Sequence, residues 1–196
     1  MAAVTSPKAD TASSDDPVEG LIREGMVSYP EAVVALREFQ RIVQDRCEQV
    51  VSDRLGELSK AMGVELDEKD IDDYPTLGRQ TQVGWEGEAV WLCVRLVLKV
   101  GTLYFGVRWN LDKSASSKIS VAAIIGLPDR RAYDMALPKF KKTPDVLVEA
   151  EPRDREVWLT EQVPVKDAHL FQTYLNDVLT KFIGAWQKIG GVKGLS

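Results

Sequence analysis

Few side chains in this sequence have the types and spacing that chemistry requires, and most of the sets lack a member. His169 is the single histidine. A nucleophilic triad built on it needs a serine on a Gly-x-Ser-x-Gly elbow or an activated cysteine, and neither pattern occurs. Flanked by Ala168 and Leu170, it reads as a residue of a helix's first turn. Cys47 and Cys93 stand in apolar contexts, where a free thiol behaves as a small hydrophobe. One histidine and two distant cysteines do not supply a zinc ligand set. Asp67, Glu68, Asp70, Asp72 and Asp73 crowd one acidic stretch, but the central glycine and closing glutamate of a calcium loop are missing. A solvated loop is the expectation there. Glu149 and Glu151 fall on one face of an extended segment, a spacing open to acid–base or metal-assisted chemistry. No lysine stands beside them in an E-x-K arrangement, so they read as surface charge. No glycine-rich phosphate loop is present. The expectation is no catalytic residue, no bound metal and no cofactor.

A different chemistry is written into the β-rich middle. In 89–98, Val90, Leu92, Val94, Leu96 and Leu98 alternate with Trp91, Cys93, Arg95 and Val97. In 102–109, Leu103, Phe105, Val107 and Trp109 alternate with Tyr104, Gly106 and Arg108. Further on, Val157 and Leu159 oppose Trp158 and Thr160. Side chains alternate across a strand, so one sheet face takes the aliphatic set. The other carries Trp91, Arg95, Tyr104, Arg108 and Trp158. Tryptophan, tyrosine and arginine dominate interface hot spots, which marks these five as candidate partner-binding residues.

The elements that position them are legible from periodicity. Ser28-Tyr29-Pro30-Glu31 has capping-box spacing, and Leu36, Phe39, Val43, Cys47, Val50, Leu55, Leu58 and Met62 form an apolar stripe behind it. A helix from there to Met62, stopped by Gly63, is expected. Residues 64–87 read as a long loop with at most a short helix. Glu88–Val100 and Thr102–Trp109 form a hairpin about Gly101, and Lys118–Ile125 a third strand. Asp129–Leu137 reads as a short helix ending before Pro138. Asp145–Glu151 and Glu156–Val163 are two more strands around the turn Pro152-Arg153-Asp154. Leu170, Phe171, Tyr174, Leu175, Val178, Leu179, Phe182, Ile183 and Trp186 make a final helix ended by Gly190-Gly191. The fold class is α+β: a five-stranded antiparallel sheet, long N- and C-terminal helices, and one short helix between strands 3 and 4.

Composition sets the outer bounds. With 196 residues, 44% hydrophobic and 28% charged, one domain over 21–196 follows a disordered tail over 1–20 that is poor in apolar groups. The net charge of −5 opposes the phosphate attraction on which nucleic-acid binders rely. The start of the chain lacks the pattern of a secretory leader, and no apolar run spans a bilayer. A cytoplasmic protein contacting neither nucleic acid nor membrane is expected.

The element order over about residues 30–189 resembles type III secretion chaperones and the related YbjN-like bacterial domains. Ile124-Ile125-Gly126-Leu127-Pro128 is similar to their glycine-proline junction. Glu156-Val157-Trp158-Leu159-Thr160-Glu161-Gln162-Val163-Pro164-Val165 and the helix through Trp186 resemble their final strand and helix. The first helix is longer than that family needs, and the acidic stretch looks like an insertion. The resemblance implies a small acidic, often dimeric, non-enzymatic protein that holds another polypeptide; no binding residue transfers. The functional expectation is a chaperone-like or regulatory binder of another protein chain or of a second copy. The alternatives are an immunity protein blocking a basic toxin or nuclease, and a metal-dependent enzyme using Glu149, Glu151 and the acidic stretch.

Overall fold

The structure is a computed structural model that describes residues 17–74, 89–110, 118–142 and 147–195. Its contacts divide the chain into two compact units, Met1–Phe39 and Gln40–Ser196.

The first helix, α1 (Pro17–Met62), has 46 residues and begins eleven positions before the expected capping serine. Pro17 to Gly20, assigned above to the tail, are its first turn. The rest of the tail, residues 1–16, lies outside the described residues. Ser28 does not cap: its hydroxyl donates to the Glu24 carbonyl at 2.8 Å, the bond a serine makes inside a helix. Pro30 is also interior. Within Met1–Phe39, residues 18 and 20–39 of the helix are exposed except at Val33.

In Gln40–Ser196 the helix continues with the expected stripe buried at Val43, Cys47, Val50, Leu55, Leu58 and Met62. It stops at Gly63, whose φ of +69° suits a residue without Cβ. A 3-10 turn, Glu68–Asp70, leads into β1 (Ile71–Tyr74). The strands β2 (Ala89–Leu98), β3 (Gly101–Asn110) and β4 (Lys118–Gly126) form the expected meander. Gly101 has φ +144°, and a Cβ there would run into the Gly126 carbonyl, so the hairpin closes only on glycine. The helix α2 (Arg130–Phe140) follows, then β5 (Leu147–Glu151), β6 (Glu156–Val163), a 3-10 turn (Val165–Leu170), α3 (Phe171–Ile189) and a terminal 3-10 turn (Val192–Leu195).

All neighbours pair antiparallel in the order β1-β2-β3-β4-β6-β5. The five expected strands are β2 to β6. The edge strand β1 joins them from the stretch read as a loop, pairing Ile71 with Leu96 and Asp72 with Arg95. The remainder of that stretch, 75–87, lies outside the described residues, as does Glu88, the first residue of the next expected strand. The helix α2 also departs from expectation by running through Pro138 to Phe140. Only one ladder bond is lost so near the end, and Phe140 is fully buried.

The inner face of the sheet carries the aliphatic set, including Leu92, Val94, Leu96, Leu103, Phe105, Val107, Val157 and Leu159, all buried. The face-forming residues of α3 (Leu175, Val178, Leu179, Phe182, Ile183 and Trp186) are buried as well. Phe182 sits at the centre. It meets Phe105 edge-on at 5.6 Å, stacks on Phe140 at 5.8 Å and meets Trp186 edge-on at 6.2 Å. Arg54 ties α1 to α3, donating to the Asn176 and Thr180 side chains at 2.8 and 3.0 Å. Gly191, at φ +66°, packs so tightly on the Met62 carbonyl that a Cβ would collide with it.

Candidate functional site on the outer sheet face

Register assembles the outer face in rows. Trp91, Arg108, Ser120 and Gln162 stand side by side on β2, β3, β4 and β6. The next row is Cys93, Gly106, Ala122, Thr160 and Leu147; the one after is Arg95, Tyr104, Ile124, Trp158 and Glu149. All five candidate residues therefore share one surface, as strand alternation requires.

The surface is built from a floor of small residues and a rim of large ones. Cys93 and Ala122 are fully buried and Ile124 is 2% exposed; Trp91, Tyr104 and Trp158 pack against them. A Cβ on Gly106 would collide with the Leu92 carbonyl and with Cys93, so the middle of this floor has room for no side chain. The Trp91 and Trp158 rings lie 5.8 Å apart at an interplanar angle of 30°. Above this floor, Arg108 places its guanidinium 5.0 Å from the centre of the Trp158 ring and 3.7 Å from the Glu149 carboxylate. The Trp158 indole N–H donates to Glu156 at 2.9 Å, and the Thr160 hydroxyl donates to Glu149 at 3.4 Å.

The five candidates differ in exposure. Trp91 is only 7% exposed and belongs to the small cluster that closes this face. Arg95, Tyr104, Arg108 and Trp158 are half-buried. Glu149, Glu156 and Thr160 are the members that residue-type reasoning left out. The signal for Glu149 was its place directly opposite Trp158 on the neighbouring strand, which becomes readable only once the pairing is known.

The chemistry weighed elsewhere is dispersed. His169 is exposed in the 3-10 turn before α3. In the acidic stretch, Asp67 pairs with Lys69 at 2.9 Å, and its backbone N–H donates to Asp70 at 2.9 Å; these are contacts within one turn. Among the described residues, no three His, Cys, Asp or Glu side chains are grouped to hold a metal ion. Burial pushes the Cys47 thiol up to about 12 and the Cys93 thiol higher still. Neither is a thiolate at neutral pH, and a thiol attacks as its thiolate. Among the described residues no helix is long and apolar enough to cross a membrane.

Comparison of the chain with protein-family models, with curated proteins and with solved structures gives no match.

Proposed function

We propose that this chain is a non-enzymatic protein-binding module, chaperone-like or regulatory, that engages another polypeptide through the outer face of its sheet. One observation carries the reading: the Arg108 guanidinium is held between the Trp158 ring and the Glu149 carboxylate. A guanidinium fixed in this way presents its remaining N–H donors in a set direction. The ordering entropy that a free arginine loses on binding has already been spent in folding. Forked donors beside a half-buried tryptophan suit a partner carboxylate or a run of backbone carbonyls, with the indole supplying apolar contact.

The test uses Arg108 and Trp158 and spares Trp91, whose burial ties it to folding. Tagged wild-type protein and the R108A/W158A double variant are used to capture proteins from the native host, with quantitative mass spectrometry of both eluates. A protein retained by the wild type should bind the double variant at least about 30-fold more weakly, the equivalent of losing one hot spot. Because Trp158 packs on Cys93, Ala122 and Ile124, the variant should melt lower but still cooperatively by circular dichroism, and retention is compared well below both midpoints. Equal retention by both proteins overturns the assignment of this face. Tight stoichiometric heat on titration with magnesium, manganese or calcium would favour the metal-dependent enzyme instead.

A further inference from the structure

We draw no further inference here: the strongest candidate, the exposed apolar side chains on opposite sides of α1 within Met1–Phe39 (Ile22, Met26 and Leu36 on one side, Val27 and Val34 on the other), carries nothing because nothing in the structure shows what covers them.

Discussion

Phe182 is the residue on which the inner core converges, with Phe105, Phe140 and Trp186 all in ring contact. Truncating it leaves three rings facing a void that none can fill alone. Phe182→Ala is expected to cost about 3–5 kcal/mol in urea unfolding; a loss below about 1 kcal/mol would mean the site collapses around the gap. Helical spacing alone placed Phe182 in the core. Strand alternation likewise placed Trp91, Arg95, Tyr104, Arg108 and Trp158 on one face. What residue type could not supply is depth. The burial of Trp91 depends on the glycine and alanine across the neighbouring strands, and a contact of that kind spans positions far apart in sequence.

At the scale of elements, local signals worked where a local interaction decides the outcome. Asp129 caps α2 as its position suggests, accepting from the Ala132 N–H at 2.8 Å. Asp129→Ala should therefore cost about 1 kcal/mol in chemical denaturation, and Asp129→Ser, which keeps an acceptor, should restore most of it. The same kind of signal misled at Ser28. A capping motif marks a helix start only when the preceding residues leave helical geometry, and here they do not. The strand β1 was hidden for the opposite reason. Ile71-Asp72-Asp73-Tyr74 has little strand propensity of its own, and its extended form is set by pairing with β2. In β1, propensity yielded to a tertiary contact.

Over the whole molecule, every buried apolar residue among those described lies at Val43 or beyond. A chain beginning at Gln40 should then keep its fold, with a melting temperature within about 4 °C of the full-length protein by calorimetry. A drop above about 10 °C would show that the Met1–Phe39 unit contributes to the stability of the rest. The class and the five strands β2 to β6 were legible because helical and strand periods differ. Strand order was not, because nothing local tells β6 to insert between β4 and β5.

That insertion has a consequence for synthesis on the ribosome. Strands β2, β3 and β4 can pair as they emerge, but β4 then keeps a bare ladder of N–H and C=O groups. Its side chains include Val121, Ala123 and Ile125, all destined for the interior. The partner, β6, is thirty residues further along the chain. At roughly 5–20 residues per second the growing chain carries this open edge for seconds, the interval in which unpaired strands recruit one another. The nascent protein is most vulnerable to aggregation between the emergence of Gly126 and that of Val163, and a holding factor at the exit tunnel would act in that window.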